Sequence, residues 1–341
     1  MSSSTPPTRT RRTTGRVTLA DVAKRVGVGQ MTVSRALRTP ELVSDNLRNK
    51  IESAVKQLGY IPNSAARELA SVSSRNVVVV TSSLTSSENC LILSALQQSL
   101  KMQNLQLVIL IANGTSWFKE LINNAPAAII LLNLACPPKE AQWIKNSTIP
   151  VIEIGAIKPA PLGINIGVDS KAAIQTLITF LVKKGYRNLG LLSAMQDSAT
   201  FQHYLESWQS ALLSQHISPH LVLHRPAETT FSTGAELFNE ALLEWGQIDA
   251  YVFLSDELAC GALCELARKH IAVPYDIAIV GMGGLDIGNV IHPRLTTIQI
   301  PYEKMGELAG KKLQTLLQQE NTSLLPEIIS VPIKLLERGS A

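Results

Sequence analysis

Residues 17–37 read V-T-L-A-D-V-A-K-R-V-G-V-G-Q-M-T-V-S-R-A-L. This stretch predicts two short helices joined by a tight turn. Thr18 is placed to cap the first helix, whose apolar residues recur at helical spacing. Gly27 is placed to end it, because glycine adopts left-handed backbone angles without steric cost. The second helix is expected to begin near Gly29 or Gln30.

The outward face of the second predicted helix is rich in hydrogen-bonding side chains. Val33, Ala36 and Leu37 turn inward at helical spacing. The side chains that point outward are Gln30, Met31, Thr32, Ser34 and Arg35. A helix that reads base edges in the major groove of DNA needs such a face. An ordinary helical hairpin with a solvated outer face is the alternative for this stretch alone.

A third helix follows and closes a small three-helix core. Its apolar spacing comes from Leu47, Ile51, Val55 and Leu58, and Gly59 ends it. The motifs T-L-A-D-V-A, G-V-G, M-T-V-S-R-A-L, Val43-Ser44 and L-G-Y-I-P-N-S-A-A-R-E-L-A follow one another in order. With these motifs the chain resembles the lac-repressor (LacI) family of bacterial transcription regulators.

The resemblance implies a set of DNA-binding residues in the first seventy positions. They are Thr18, Gln30, Met31, Thr32, Ser34, Arg35, Arg38, Tyr60, Asn63, Arg67 and Leu69. In that family the segment matching residues 64–71 is a hinge helix that folds on operator DNA. The leucine matching Leu69 wedges into the minor groove and kinks the duplex. A buried core leucine is the alternative reading of Leu69.

The charge of the chain is concentrated at its beginning. Residues 1–70 carry twelve Lys or Arg and five Asp or Glu, whereas the remainder carries nineteen and twenty-two. A basic head on a mildly acidic body indicates a polyanionic partner at the head. Residues 1–15 are expected to form a disordered basic tail. Arg9, Arg11 and Arg12 either contact phosphates there or belong to a merely solvated tail.

The composition favours a protein of the reducing cytoplasm, and the DNA-binding prediction implies association with the nucleoid. No apolar run has the length of a membrane span, and the Ser-, Thr-, Pro- and Arg-rich beginning is not a secretory signal. Cys90, Cys136, Cys260 and Cys264 lack disulfide-framework spacing and are expected to be small, reduced core residues.

From Arg75 onward, short β-branched runs alternate with helix-length stretches, which predicts parallel β-α-β units. We expect two doubly wound subdomains that face each other across a cleft. The expected division is a helix-turn-helix domain at 16–62, a hinge and linker at 63–74, and a core at 75–337. Within the core we expect one subdomain at 75–167 plus 297–322 and the other at 168–296 plus 323–337.

The LacI resemblance extends over this core and implies a periplasmic-binding-protein-like fold. It rests on K-K-G-Y-R-N-L-G-L-L, S-D-E-L-A-C-G-A-L, V-P-Y-D-I-A-I-V-G and P-R-L-T-T-I, so that it covers residues 17–337. Ligands of doubly wound folds bind at the carboxyl ends of strands. The effector-binding candidates are Ser82, Ser83, Asn133, Glu153, Gln202, Tyr204, Ser255, Asp256 and Gly283. Loop capping or subdomain packing is the alternative for each of them, and Asp256 also fits a helix N-cap.

Two departures from the family pattern concern the effector. The helix after Ser193 lacks the Arg of sugar-binding relatives, and the run Gly281 to Gly288 lacks an early acidic residue. That run, with P-R-L behind it, looks more like the gluconate and idonate repressors within the family. Loss of a pocket acid suits a sugar-acid ligand, because two facing carboxylates repel. Loss of the Arg argues in the opposite direction.

No catalytic set, metal site or cofactor motif emerges. Pro219 separates His216 from His220 and His224, so these residues share no helix face. G-M-G-G at 281–284 lacks the Walker lysine and the full dinucleotide spacing. The helix-turn-helix head and the LacI resemblance predict a ligand-responsive repressor that binds a pseudo-palindromic operator as a homodimer. The alternatives are a small-molecule receptor without DNA function, an activator, and a regulator that responds to a non-sugar ligand.

Overall fold

The structure, a computed structural model, describes residues 17–60, 74–101, 103–112, 114, 116–195, 198–318 and 325–341. The chain divides into two compact units, Met1–Ser73 and Ser74–Ala341. We call the first unit the head and the second the core. The hinge segment predicted at residues 64–71, with Arg67 and Leu69, lies outside the described residues, as do Asn63 and the basic tail.

The head contains the three predicted helices. They are α1 (Leu19–Val26), α2 (Gln30–Arg38) and α3 (Asp45–Leu58), with a 3-10 turn at Pro40–Leu42. Gly27 and Gly59 end α1 and α3 with φ angles of 76° and 64°, as predicted, because glycine has no Cβ to clash there. The side chains that fill the head core are Val22, Ala23, Val33, Ala36, Ile51 and Ala54.

The core alternates strands and helices. Its strands in chain order are β1 (Asn76–Thr81), β2 (Gln106–Ile111), β3 (Ala128–Leu132), β4 (Val151–Ala156), β5 (Ile164–Val168), β6 (Leu189–Ala194), β7 (Val222–Arg225), β8 (Ala250–Phe253), β9 (Ala278–Gly283), β10 (Thr296–Gln299), β11 (Glu327–Ser330) and β12 (Lys334–Leu336). Its helices are α4 (Ser87–Leu100), α5 (Trp117–Asn123), α6 (Pro138–Asn146), α7 (Ser170–Lys183), α8 (Ser198–Ser214), α9 (Phe231–Glu244), α10 (Asp256–Arg268), α11 (Ile287–Val290) and α12 (Tyr302–Gln318).

Two six-stranded sheets organise the core, and each defines a subdomain. The first subdomain contains the sheet β2-β1-β3-β4-β5-β11, whose strands are all parallel. The second contains β7-β6-β8-β9-β10-β12, in which β12 runs antiparallel to β10. Every residue of β1, β3, β6, β8 and β9 is buried, which is typical of strands covered by helices on both faces.

The division of the core differs from the expected one at three places. Strand β5 was not expected as a separate strand, because Asn165 and Gly167 interrupt its apolar pattern. The expected last strand near 328–337 is two strands, of which β11 pairs with β5 in the first sheet. Strand β10 belongs to the second sheet, so the first subdomain resumes after Gln299 instead of at residue 297.

Two other features of the chain bear on these expectations. All four cysteines are free thiols, but Cys90 and Cys264 are exposed, so the expectation that all four are core residues is wrong for these two. They occupy outward positions on α4 and α10, where packing does not select against a thiol. Within the described part of the chain, no helix is long and apolar enough to cross a membrane.

Candidate DNA-reading face and effector cavity

The outward face of α2 carries the side chains that the sequence placed there. Gln30, Met31 and Arg35 are exposed, and Met31 is 78% exposed despite its apolar side chain. Thr32 and Ser34 are half-buried on the same helix, while Val33 points into the head core. The helix therefore presents hydrogen-bonding groups, a cation and a large apolar side chain to its surroundings. The side chain of Arg38 lies outside the described residues.

Thr18 holds the beginning of α1. Its backbone N–H donates to Asp21 Oδ2 over 2.8 Å, and its hydroxyl donates to the same oxygen over 2.7 Å. These hydrogen bonds lower the pKa of the Asp21 carboxyl. The arrangement satisfies a free N–H at the helix start. Tyr60 is half-buried and packs against the head core, so its ring has a structural contact in addition to the expected DNA-binding role.

A cavity of about 590 Å³ lies between the two subdomains of the core. Strand register places it: Thr81 pairs with Leu132, and Leu132 pairs with Ile154, so the residues after β1, β3 and β4 meet at one edge. Ala194, Leu254 and Met282 line the cavity from the second subdomain. Of the nine effector-binding candidates, those that line it are Ser82, Ser83, Asn133, Glu153, Tyr204 and Ser255.

The other three candidates do not line the cavity. Gln202 is exposed on α8, one position away from the lining residue His203. Asp256 and Gly283 are buried beneath it. The Asp256 carboxylate accepts hydrogen bonds from the Thr297 hydroxyl over 2.5 Å and from the Leu285 N–H over 2.7 Å. Burial, opposed by these bonds, raises the pKa of Asp256 to about 6. Asp256 therefore ties together β10 and the segment that follows β9.

Ser255, not Asp256, is the N-cap of α10. Its hydroxyl oxygen accepts a hydrogen bond from the Glu257 N–H over 3.0 Å. The expectation that Asp256 fits this cap is wrong by one residue, because the Asp256 carboxylate is turned toward β10. Ser255 also lines the cavity, so the residue that caps the helix forms part of the cavity wall.

An amide network fixes Asn133 in the cavity wall. The Asn133 Nδ2 donates to Asn89 Oδ1 over 2.8 Å, and Asn89 Nδ2 donates to Thr81 Oγ1 over 3.1 Å. Asn133 has a φ of 46°, and a Cβ on Gly155 would lie 2.5 Å from its Oδ1. Gly155, with its own φ of 147°, is therefore required for the position of the Asn133 amide.

Glu153 is held by the protein itself. It is only 2% exposed, and its Oε1 lies 2.7 Å from the Lys158 Nζ. Its Oε2 accepts a hydrogen bond from the Leu162 N–H over 2.5 Å. Lys158 also donates to the Leu134 carbonyl over 3.2 Å and is 35% exposed at the cavity wall. Of this ion pair, Lys158 is therefore the more accessible partner.

A carboxyl group and two phenols form another part of the wall. Glu88 lies in the first turn of α4, and Tyr204 and Tyr302 come from α8 and α12. Burial and the nearby Glu257 carboxylate raise the pKa of Glu88 to about 7, against a hydrogen bond from Tyr302. Burial and Glu88 raise the pKa of Tyr204 to about 12.

Sequence reasoning missed Lys158, Glu88 and Tyr302. Lys158 follows β4 by two residues, so it lies in the loop directly beyond a strand end. Glu88 lies at the N-terminus of the helix after β1, and Tyr302 begins the helix after β10. Helix N-termini that follow parallel strands face the same edge as the strand ends, so their positions in the sequence indicate Glu88 and Tyr302.

Comparisons with known proteins agree with this architecture. The family described as "Bacterial regulatory proteins, lacI family" matches residues 18–63, and "Periplasmic binding protein-like domain" matches residues 178–341. The HTH-type transcriptional regulator GntR of Escherichia coli K12 is 32% identical over 95% of this chain and 98% of its own length. The regulator IdnR of the same strain is 26% identical over 87% of this chain and 91% of its own.

Solved structures share the fold. A LacI-family transcriptional regulator from Silicibacter pomeroyi superposes with a TM-score of 0.85 over 95% of this chain and 99% of that one. The lac repressor dimer bound to operator and the anti-inducer ONPF gives 0.78 over the same two shares. Both are 23% identical to this chain. The helix-turn-helix head, the two-subdomain core and the match to GntR together show that the chain belongs to the LacI family and is a DNA-binding transcriptional regulator.

Proposed function

We propose that the protein is a ligand-controlled repressor of genes for the use of gluconate or a related sugar acid. The observation that carries this is the cavity between the subdomains, which is lined by hydroxyls, amides and charges of both signs. Its volume of about 590 Å³ is in the range of small-molecule sites. Similarity to regulators named GntR and IdnR, and the run from Gly281 to Gly288, support the sugar-acid class.

On the DNA side, the proposed partner is a pseudo-palindromic operator. The residues assigned to it are Thr18, Gln30, Met31, Thr32, Ser34, Arg35, Arg38, Tyr60, Asn63, Arg67 and Leu69. One head reads one half-site, so two heads in a homodimer are needed for adjacent half-sites. The exposed row of Gln30, Met31 and Arg35 on α2 supports base or phosphate contact. The site of action is the cytoplasmic DNA of the nucleoid.

Control comes from linkage between the two sites. An effector that favours one arrangement of the subdomains and alters the hinge changes operator affinity, and operator changes effector affinity by the same factor. We propose release of DNA on effector binding. The same fold acts as an activator when the operator lies at another position. It responds to a non-sugar ligand when the cavity has another chemistry.

A catalytic role is not part of the proposal. The relatives named above are transcriptional regulators. Over the described stretches, no group of three or more His, Cys, Asp and Glu is placed to hold a metal ion. A small-molecule receptor without DNA function is the second candidate, and the two candidates differ in whether the protein binds one DNA sequence.

The deciding experiment measures fluorescence anisotropy of the full chain with DNA from upstream of its own gene. We expect sequence-specific binding that weakens as salt rises, because phosphate contacts release counterions. Addition of gluconate is expected to lower operator affinity. Absence of specific binding at low salt favours the receptor. Specific binding that no sugar acid alters removes the sugar-acid effector and retains the DNA-binding assignment.

A further inference from the structure

Apart from Glu228, an exposed carboxylate of the loop after β7, the charged groups that line the cavity lie in two places. Lys158 and Lys145 line it from the loop after β4 and from the end of α6, both in the first subdomain. Glu88 lines it where α4 of the first subdomain meets α10 of the second, since its neighbour Ser87 hydrogen-bonds Glu257. The cavity therefore has a lysine region and a carboxyl region with different neighbours.

In the lysine region, Lys158 is oriented and still has a donor available. An ammonium group has three N–H donors, and two are used by Glu153 and the Leu134 carbonyl. The second oxygen of Glu153 is occupied by the Leu162 N–H. Glu153 therefore positions Lys158, and an anion of the ligand is placed to accept the third N–H. A charge-assisted hydrogen bond of this kind is stronger than a neutral one.

In the carboxyl region, the surroundings disfavour a second anion. The charges that act on Glu88 come from the carboxylates of Glu257 and Asp256, and the hydroxyls of Tyr204 and Tyr302 lie beside it. A ligand hydroxyl donates to Glu88 or accepts from a phenol. A ligand carboxylate placed there faces repulsion from Glu88 and from its neighbouring carboxylates.

We propose that the cavity binds a polyhydroxylated monocarboxylate in one orientation, with its carboxylate at Lys158 and its hydroxyl chain toward Glu88. This inference rests on the proposed function, because it assumes that the cavity is the effector site. In this orientation, neutral polyols lack the anion for Lys158, and dicarboxylates place a second anion at Glu88.

The test is isothermal titration calorimetry of the full chain at pH 8, where Glu88 is mostly ionised because its pKa is about 7. The ligands are gluconate, the neutral polyol glucitol and the dicarboxylate glucarate. We expect gluconate to bind at least about tenfold more tightly than the other two ligands. Glucitol lacks the charged hydrogen bond to Lys158, and glucarate adds a charge repulsion at Glu88. Equal affinity for glucitol or glucarate overturns the orientation.

Substitutions in the lysine region and in the carboxyl region test the two ends of the ligand separately. Lys158→Met is expected to weaken gluconate binding about tenfold or more. Lys139→Met, on the exposed side of α6, is expected to leave gluconate affinity unchanged. Since Lys158→Met leaves Glu153 buried and unpaired, Glu153→Gln with Lys158→Met serves as a second variant that avoids a buried charge. Glu88→Gln is expected to improve glucarate binding while retaining gluconate.

The outcomes separate this inference from the proposed function. Gluconate affinity that survives in both Lys158 variants overturns the anchor, even if gluconate still releases operator. No heat with any of the three ligands, together with specific operator binding in the same preparation, overturns both the anchor and the sugar-acid effector. Gluconate that binds through Lys158 without changing operator affinity supports the anchor and removes the proposed control of DNA binding.

Discussion

The Ser87 hydroxyl donates a hydrogen bond to the Glu257 carboxylate, although the two residues are 170 positions apart. Ser87 begins α4 in the first subdomain, and Glu257 lies in the first turn of α10 in the second. Glu257 is 7% exposed, so this carboxylate depends on protein donors. The contact joins the subdomains beside the cavity and supplies part of the charge that acts on Glu88.

Ser87→Ala is expected to destabilise the core by about 1–3 kcal/mol, because a buried carboxylate loses a donor. All four tryptophans lie between residues 117 and 245, so intrinsic fluorescence during denaturant unfolding reports the core and not the head. The matched control is Ser210→Ala on the exposed face of α8, which should leave the transition in place. Identical transitions for both variants would contradict the role given to Ser87.

Glu88 is expected to make core stability fall as pH rises. Its pKa is about 7 when folded, against an ordinary value of 4.5, so the native state binds the extra proton in this window. Stability therefore decreases between those two values, with a slope of at most about 1.4 kcal/mol per pH unit. Asp256 acts in the same direction up to its pKa of about 6.

The contribution of Glu88 is isolated by comparison with Glu88→Gln. The difference in unfolding free energy between the two proteins should grow from pH 5 to pH 7 and then level off, since the variant cannot titrate at this position. Urea denaturation at half-unit pH intervals measures it. Parallel pH curves for the two proteins would show that Glu88 titrates normally in the folded core.

Arg35→Ala is expected to weaken operator binding by about 1–3 kcal/mol and to leave effector affinity unchanged. Arg35 is exposed on α2 and Lys304 is exposed on the core, so Lys304→Ala is the control for general loss of positive charge. Anisotropy with operator and with unrelated DNA separates base contact from phosphate contact. A uniform loss on both DNAs indicates phosphate contact, and no loss on either removes Arg35 from the interface.

Leu69→Ala is expected to weaken operator binding strongly while effector affinity stays nearly intact. The expectation comes from the family resemblance of residues 64–71, in which an apolar wedge unstacks a base step. Anisotropy with operator and calorimetry with effector measure the two affinities. Operator affinity equal to that of the unmodified protein would refute the wedge.

Gly155→Ala is expected to lower both core stability and effector affinity. The added Cβ meets the Asn133 Oδ1 at 2.5 Å, and the backbone φ of 147° disfavours a side chain. A cost of about 1–3 kcal/mol is expected from the overpacking. Gly246→Ala, where a Cβ meets nothing within 4 Å, is the control. Full effector affinity in a folded Gly155→Ala protein would show that Asn133 does not contact the ligand.

The sequence predicted those parts of the fold that local periodicity controls. The head helices and the alternation of strands and helices depend on spacing within about ten residues, and they are confirmed. Strand β5 was missed because Asn165 is buried inside it, and its amide is satisfied by the Glu153 and Ala156 carbonyls and the Lys158 N–H. Those partners belong to the neighbouring strand and loop, so the pattern of residues within β5 alone does not reveal them.

The sequence predicted the location of the cavity but only some of the residues that line it. The strand-end rule found Ser82 and Asn133, which register brings to one edge of the first sheet, and Ser255, which follows β8 in the second sheet. It also selected Asp256, whose carboxylate is instead used by Thr297 and Leu285. It did not find Lys158, whose charge partner Glu153 lies five residues before it, or Glu88, whose neighbouring carboxylates Glu257 and Asp256 lie on another helix. Which way a polar side chain turns at a strand end depends on such partners.

The chain passes between the two sheets at three places, after β5, after β10 and between β11 and β12. Val168 and Ser330 end neighbouring strands of the first sheet, and Gln299 pairs with Lys334 in the second, so the three connections run side by side. Three connections that lie side by side resist twisting and sliding of the two subdomains far more than bending about the line that joins the connections. We therefore expect any opening of the core to be a bend about the line that joins the three connections, in a direction fixed by the topology and not by the ligand.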